Sequence, residues 1–297
     1  MHPETGKKEY QRGYAKINLT LDVKAAREDG FHEVSMIMQQ IRLWDDIYLE
    51  ITDGEKITFE CNVPFLGATP NNIAYRAAVL MRERFGLTGG LHIRLNKRIP
   101  IAAGLAGGST DTAAVIRGIN RLYDLGIPRG QLMRIASELG SDVPYCLIGG
   151  TCLATGRGEW VQRFPVSMPH AYVVLVKPSF GISTPWSYKM FDKQVITRRP
   201  NEKAMEQAMK KGDLWACGRE MVNLLEPAAL AKYPVLEVIK QDLRDLGAAG
   251  VMMSGSGPTV FSLFEHKEEA AEALHTLRKK YPPRYQVLYT QILERRS

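Results

Sequence analysis

The sequence has few cysteines and no long apolar run. Its four cysteines form no CxxC pair and no zinc-ligand spacing, which argues against a disulfide framework or a zinc finger; they are Cys61, Cys146, Cys152 and Cys217. The apolar run Ala171–Val176 has the length of a strand, not of a membrane span. The polar start of the chain lacks the apolar core of a signal peptide. We therefore expect a cytoplasmic protein with no membrane partner.

Two familiar phosphate-binding motifs are also missing. A Walker A loop ends in Gly-Lys-Ser/Thr, whereas here Gly108 is followed directly by Ser109. The glycine spacing does not fit the dinucleotide-binding motif G-x-G-x-x-G either. If the chain binds a phosphate, it does so through a different loop.

A glycine-rich stretch of another kind is present at Pro100–Asp111. It follows a strand-like segment, Leu91–Asn96, and runs into a helical pattern, Thr110–Tyr123. Glycines let the backbone approach an anion closely, and a helix N-terminus presents unpaired N–H groups. The stretch favours a phosphate site, and the alternative is a tight strand-to-helix connection without a ligand.

The formal net charge of +7 is compatible with nucleic acid or with an anionic substrate. The basic pairs are scattered along the chain and are not interleaved with aromatic residues. We expect solvated surface charge and no nucleic-acid partner.

Alternating patterns predict mainly strands at first, and strands mixed with helices later, which indicates an α+β protein of two domains. A Pro-rich segment after residue 163 places the boundary between domains 1–165 and 166–297. Beyond it the pattern predicts a long loop from residue 178 to Pro200 and a helix over Trp215–Leu225.

Three more segments carry candidate chemistry. Lys16 and Asn18 share the polar face of an N-terminal strand, although a lone lysine there usually faces solvent. Asp142 lies in a break between apolar stretches, where it could simply cap or turn the chain. Met253–Thr259 is a second glycine-rich turn, for which a plain hairpin is the alternative.

In this order along the chain, the three motifs at Lys16, Pro100–Ala113 and Met253–Thr259 resemble those of the GHMP kinase superfamily. The resemblance covers nearly the whole chain. It implies an N-terminal domain like domain 2 of ribosomal protein S5 and a ferredoxin-like C-terminal domain. Within the superfamily, the segments around Lys16, Phe31-His32, Asp142 and Ser183–Tyr188 resemble the kinases of the non-mevalonate isoprenoid pathway.

The resemblance implies transfer of the γ-phosphoryl group of ATP to the 2-hydroxyl of 4-diphosphocytidyl-2-C-methyl-D-erythritol. It makes Asp142 the base that takes the hydroxyl proton and Lys16 the cation that steadies the developing alkoxide. Alternatives are a GHMP kinase for homoserine, mevalonate or a sugar, and a non-catalytic RNA-binding protein.

The resemblance also implies the binding residues. ATP would be bound by the loop and by two flanking residues, namely Pro100, Ala102, Ala103, Gly104, Leu105, Ala106, Gly107, Gly108, Ser109, Thr110, Asn72 and Lys97. Ser109 or Thr110 could reach Mg²⁺, which travels with phosphate rather than in an all-protein cage. The cytidine conjugate would be bound by Asn18, Phe31, His32, Thr184, Pro185, Tyr188, Gly255 and Ser256. Phe31 and Tyr188 would sandwich the base, unless both are core residues. We expect a monomer or a weak homodimer.

Overall fold

The computed structural model describes residues 4–293. Within them, the strands are β1 (Lys8–Ala26), β2 (His32–Thr52), β3 (Ile57–Cys61), β4 (Gly90–Asn96), β5 (Thr151–Gly156), β6 (Trp160–Arg163), β7 (Tyr172–Lys177), β8 (Val222–Asn223), β9 (Gly250–Met253), β10 (Val260–Phe264) and β11 (Gln286–Gln291). The helices are α1 (Ile73–Phe85), α2 (Gly107–Leu122), α3 (Arg129–Leu139), α4 (Val143–Ile148), α5 (Thr184–Phe191), α6 (Glu202–Lys210), α7 (Leu214–Glu220), α8 (Glu226–Lys232), α9 (Val235–Asp245) and α10 (Lys267–Lys280).

The chain divides into two compact units that interleave along the sequence. The first contains the stretch up to Ala15 together with Leu43–Ile99 and Ala106–Ile148. The second contains Lys16–Arg42, Pro100–Leu105 and the stretch from Gly149 onward. The long strands β1 and β2 each run through both units, and so does the glycine-rich loop. The division at residue 165 stays a prediction.

The first unit is a sheet covered by helices. Its strands lie in the order β3-β4-β2-β1, with β4 antiparallel to β2 and parallel to β3. Helix α2 is the central helix and packs against α1, α3 and α4. Its apolar residues Val115, Ile116, Ile119 and Leu122 are buried, because α2 has neighbours on more than one side.

The second unit contains a further stretch of β1 and β2, in the strand order β6-β5-β2-β1-β8, and a separate sheet of four strands. The separate sheet is antiparallel, in the order β11-β7-β10-β9, and shares one apolar core with α9 and α10. The spacing of Leu236, Ile239 and Leu243 places three apolar side chains on the core face of α9.

The mixture of helices and sheets confirms the predicted α+β class. Strand β2 is continuous from His32 to Thr52. The prediction of a long loop up to Pro200 was wrong at α5. Ser183 caps this helix, and Pro185 lies in its first turn. The helix predicted over Trp215–Leu225 ends earlier, because the chain turns there into β8.

No helix in the described part of the chain has both the length and the apolar character needed to cross a bilayer. All four cysteines are free thiols, in agreement with the expectation from their spacing.

The close packing of a glycine in α7 gives a test of how this helix packs in the second unit. A Cβ atom on Gly218 of α7 would collide with the carbonyl oxygen of Ala249 and would lie 2.9 Å from the Cα atom of Gly250. Both neighbours are backbone, so they cannot yield as a flexible side chain would. We expect Gly218→Ala to lower the free energy of unfolding by about 3 kcal/mol, measured by urea denaturation.

Gly130 of α3 is the matched control, because a Cβ atom there meets nothing within 4 Å. Gly130→Ala should leave stability unchanged or raise it by up to about 1 kcal/mol. Equal stability of the two variants would contradict the packing described for α7.

Candidate active site

Lys16 and Asn18 are both buried, although their side chains lie on the opposite face of β1 from Ile17. Lys16 is 4% exposed and Asn18 is 0% exposed. The Lys16 ammonium donates a hydrogen bond of 2.7 Å to Asn18 Oδ1. The alternative of a solvent-facing lysine is therefore wrong. A buried ammonium is costly unless polar groups surround it, so its place on this strand needs an explanation.

The glycine-rich turn Met253–Thr259 lies against these two side chains. It joins the antiparallel strands β9 and β10, so the hairpin interpretation is confirmed as a description of the local fold. A Cβ atom on Gly255 would lie 3.2 Å from Asn18 Oδ1 and 3.3 Å from Lys16 Nζ. Gly255 also has a φ of +56°, which favours glycine. The turn backbone thus comes close to the buried lysine.

The first half of the glycine-rich loop is fixed in the same unit. The carbonyl oxygen of Leu105 accepts a 3.1 Å hydrogen bond from Lys16 N, and that of Gly104 accepts one of 3.0 Å from Ser254 Oγ. A Cβ atom on Gly104 would collide with the carbonyl oxygen of Ser254. Pro100, Ala103 and Leu105 are buried. The second unit therefore brings this half of the loop, β1 and the glycine-rich turn together.

The second half of the loop leads into α2, in the first unit. Ala106 is the N-cap residue, has a left-handed backbone (φ 57°), and makes no side-chain hydrogen bond to the helix. Gly107 and Gly108 follow, so the first turn of α2 carries no bulky side chain over its N–H groups. Such a helix N-terminus can accept phosphate oxygens.

The two hydroxyls predicted near Mg²⁺ differ in their surroundings. Thr110 is buried and donates a 2.8 Å hydrogen bond to the carbonyl oxygen of Tyr14, whereas Ser109 is partly exposed. No group of three or more His, Cys, Asp or Glu residues within 4–293 could hold a metal ion. A divalent ion here would therefore depend on phosphate oxygens, with Ser109 the more accessible hydroxyl.

Lys97 lies between two buried carboxylates. Its Nζ atom is 2.5 Å from Asp45 Oδ2 and 2.7 Å from Asp111 Oδ2. Burial has the largest effect on Asp111 and raises its pKa well above the ordinary value; Lys97 opposes this shift and Asp45 adds to it. Burial alone would lower the pKa of Lys97, but the two carboxylates outweigh it and the pKa is raised. The ammonium is therefore firmly charged.

The remaining candidates of the first unit lie at helix starts. Asn72 is the N-cap of α1: its Oδ1 atom accepts from Ala74 N, and its amide donates to the carbonyl oxygen of Gly67. Asp142 immediately precedes α4, and its carbonyl oxygen accepts from Cys146 N. The predicted capping role therefore concerns the backbone of Asp142. It does not exclude a chemical role for the carboxylate.

Aromatic residues cluster between the start of β2 and α5 in the second unit. The rings of His32 and Tyr188 are stacked, with centroids 5.1 Å apart, and His32 Nε2 is 2.7 Å from Asp192 Oδ1. Phe31 is 51% exposed, with the Arg157 guanidinium 4.9 Å from its ring centroid. Phe31 is therefore not a core residue. Tyr188, only partly buried, is stacked on His32.

The start of α5 lies beside the glycine-rich turn. The hydroxyls of Thr184 and Ser256 are 2.9 Å apart, and Pro185 is exposed in the first turn of the helix. A Cβ atom on Gly181 would lie 3.1 Å from the Cβ atom of Ala102, so the same segment also contacts the loop. The substrate residues predicted from the sequence thus fall into two neighbourhoods of the second unit.

Sequence reasoning missed the residues that support the turn. Asn223 of β8 is buried, and its amide donates 2.8 Å hydrogen bonds to the carbonyl oxygens of Met253 and Gly255. Glu226 accepts from Met253 N and forms an ion pair with Lys240 at 2.7 Å. The only signal in the sequence is the polar Asn223 between apolar neighbours.

Comparison with known proteins agrees with this geometry. The family model "GHMP kinases N terminal domain" matches residues 72–150, and "GHMP kinases C terminal" matches residues 205–283. The chain belongs to the GHMP kinase family.

Several individual proteins resemble this chain over nearly its whole length. The chain is 42% identical to the 4-diphosphocytidyl-2-C-methyl-D-erythritol kinase of Alkaliphilus oremlandii, over 94% of this chain and 95% of that protein. It is 44% identical to the enzyme of the same name from Acetivibrio thermocellus, over 90% of this chain and 94% of that protein. A solved structure of 4-(cytidine 5'-diphospho)-2C-methyl-D-erythritol kinase matches with a TM-score of 0.81 and 32% identity, over 96% of this chain and 100% of that one. A homoserine kinase from Cytophaga hutchinsonii, at 21% identity over 98% and 97% of the two chains with a TM-score of 0.77, shares the fold.

The support given by Asn223 to the turn can be measured. Asn223→Ala would remove both donors to the turn and the acceptor that Asn223 Oδ1 offers to Leu225 N at 2.9 Å. Because these groups are buried, we expect the free energy of unfolding to fall by about 3 kcal/mol in urea denaturation.

Asn201→Ala is the control, since the exposed Asn201 makes one N-cap hydrogen bond to Ala204 N. It should cost about 1 kcal/mol. A loss at Asn223 no greater than that at Asn201 would contradict a supporting role for Asn223.

Proposed function

We propose that this protein is an ATP-dependent kinase that phosphorylates the 2-hydroxyl of 4-diphosphocytidyl-2-C-methyl-D-erythritol. The reaction yields the 2-phosphate and ADP and belongs to non-mevalonate isoprenoid biosynthesis. The names and the coverage of the relatives support this activity. The structural observation that carries it is the burial of Lys16. Its ammonium group donates to Asn18 beside the Gly255 turn, and its backbone N–H donates to the loop at Leu105.

The loop from Pro100 to Thr110 is proposed to hold the triphosphate. Phosphoryl transfer depends mainly on positioning and on charge stabilisation. The first turn of α2 offers N–H donors, and Gly107 and Gly108 place no side chain over them. Mg²⁺ bound with the nucleotide would neutralise charge on the transferred group, and the Ser109 hydroxyl is its proposed protein contact. Asn72 and Lys97 are proposed to flank the nucleotide.

Asp142 and Lys16 are the proposed catalytic residues. A substrate hydroxyl is a poor nucleophile, and a carboxylate at hydrogen-bonding distance can remove its proton as the new bond forms. The proposal gives Asp142 this role. The Lys16 ammonium would stabilise the negative charge that develops on the hydroxyl oxygen. Asn18, adjacent to Lys16, would bind the hydroxyls of the methylerythritol.

The second unit offers a region suited to the cytidine end. Phe31 presents an exposed ring, and Tyr188 and His32 add two more flat surfaces. A pyrimidine needs a stacking partner and polar groups at its edge. We propose that Phe31 and Tyr188 contact the base and that His32 hydrogen-bonds its edge. Thr184, Pro185, Gly255 and Ser256 would line the path between base and reacting hydroxyl.

The proposal is tested by ADP release with MgATP and the cytidylated methylerythritol as acceptor. Wild-type protein should turn this substrate over. Asp142→Asn should lower kcat by about 1,000-fold, because the amide cannot accept the proton, while MgATP binding and the fold persist.

Asp213→Asn is a matched control, since Asp213 is the N-cap of α7 and Asn caps helices equally well. It should turn over like wild type. Turnover at the wild-type rate by Asp142→Asn would remove Asp142 from the role of base.

A second variant tests the cytidine contact. Tyr188→Ala should raise KM for the cytidylated substrate about tenfold, since base stacking on an aromatic ring contributes about 1–3 kcal/mol. KM for ATP should change less than about twofold. Tyr48→Ala, at an exposed tyrosine of the first unit, should change neither value. Equal increases in both KM values for Tyr188→Ala would contradict the assignment.

A further inference from the structure

The ion-pair cluster of Asp45, Lys97 and Asp111 has no role in the function proposed above beyond Lys97 itself. Its three side chains are almost completely buried: the exposed fractions are 0% for Asp45, 5% for Lys97 and 4% for Asp111. Buried ion pairs are a weak source of stability, because desolvation offsets much of their attraction. A cluster of two carboxylates and one ammonium therefore calls for an explanation other than stability.

Asp45 holds the segment that leads into the glycine-rich loop. Its Oδ1 atom accepts hydrogen bonds from Arg98 N and from Ile99 N, at 2.5 Å and 2.8 Å, while Oδ2 accepts from Lys97 Nζ. One carboxylate thus binds three consecutive residues between β4 and the loop. Asn62 adds two hydrogen bonds to the backbone of Lys97.

The same ammonium holds the far end of the loop. Asp111 lies in the second turn of α2 and binds Lys97 Nζ through Oδ2. A Cβ atom on Gly107 would lie 3.1 Å from that Nζ atom, so the lysine is packed beneath the first residue of α2. Lys97 therefore connects the segment before the loop to the helix after it.

Asp111 differs from an ordinary ion-pair partner in the state of its second carboxylate oxygen. Its Oδ1 atom is buried and has no hydrogen-bond partner among the described residues. Unpaired buried carboxylate oxygens are costly, so each one in a native structure needs an explanation.

We propose that Asp45 is a positioning residue for the nucleotide: through Lys97 and Asp111 it fixes both ends of the loop and so orients the N–H groups of α2 for the triphosphate. The inference rests on the proposed function only in taking this loop as the nucleotide site. Orienting donors before binding removes the cost of ordering them on binding.

The test is a double-mutant cycle of Asp45→Asn and Lys97→Met, read as the affinity for MgATP by calorimetry. Asp45→Asn keeps an oxygen for the two backbone donors and leaves Lys97 paired with Asp111, so the variant should fold. We expect each single variant to weaken MgATP binding about tenfold and the double variant to be little worse than either. KM for the acceptor should stay within about twofold.

The neighbouring Asp46 provides the control. Its carboxylate accepts from Tyr10 and Trp44 and pairs with Arg98 on the other face of β2. Asp46→Asn should leave the MgATP affinity within about twofold of wild type. If Asp45→Asn does not fold, Asp111→Asn takes its place in the cycle with the same expectation.

Unchanged MgATP affinity in a folded Asp45 or Asp111 variant would overturn the proposal. Strictly additive losses in the cycle, or an equal loss in Asp46→Asn, would do the same. A wild-type protein that binds MgATP but does not phosphorylate the cytidylated acceptor would refute the proposed function and leave this inference standing. A wild-type protein that does not bind MgATP would refute both.

Discussion

Close approach of backbone to backbone at the glycine-rich segments is the constraint on which the proposed site depends. Gly104 lies so near the carbonyl oxygen of Ser254 that no side chain fits between them, whereas a Cβ atom on Gly255 would lie 3.3 Å from the side-chain nitrogen of Lys16. These contacts hold the first half of the loop against the turn and β1. A loop held in this way can present its amides to a ligand without first having to be ordered.

Three lysine side chains are buried, and each is held by polar or charged partners. Lys16 donates to an amide oxygen, Lys97 bridges two carboxylates, and Lys240 pairs with Glu226, which in turn holds the backbone of Met253. Each lies beside one of the segments proposed to bind substrate or nucleotide. Burial lowers the local dielectric, so a fixed positive charge acts more strongly on a nearby anion than it would in water.

Local pattern sufficed to predict the strand–loop–helix at Pro100–Asp111 and the hairpin around Gly255, because glycine spacing and apolar periodicity are properties of neighbouring residues. The residues that support them could not be predicted. Asp45 is 52 positions before Lys97, and Asn223 is 30 before Met253, so only the tertiary fold brings them together. Helix α5 was missed because it is short and carries little apolar periodicity. The burial of Lys16 was not predicted, because a lysine in a strand ordinarily faces water; the resemblance implied only its chemical role.

ADP release with MgATP across a panel of alcohols would show which acceptor this protein phosphorylates. The panel contains the cytidylated methylerythritol, free methylerythritol, mevalonate, homoserine and galactose. We expect turnover with the cytidylated compound alone, because only this acceptor carries a base for the aromatic residues around His32. Turnover with mevalonate, homoserine or galactose but not with the cytidylated compound, or no turnover with any acceptor, would contradict this expectation.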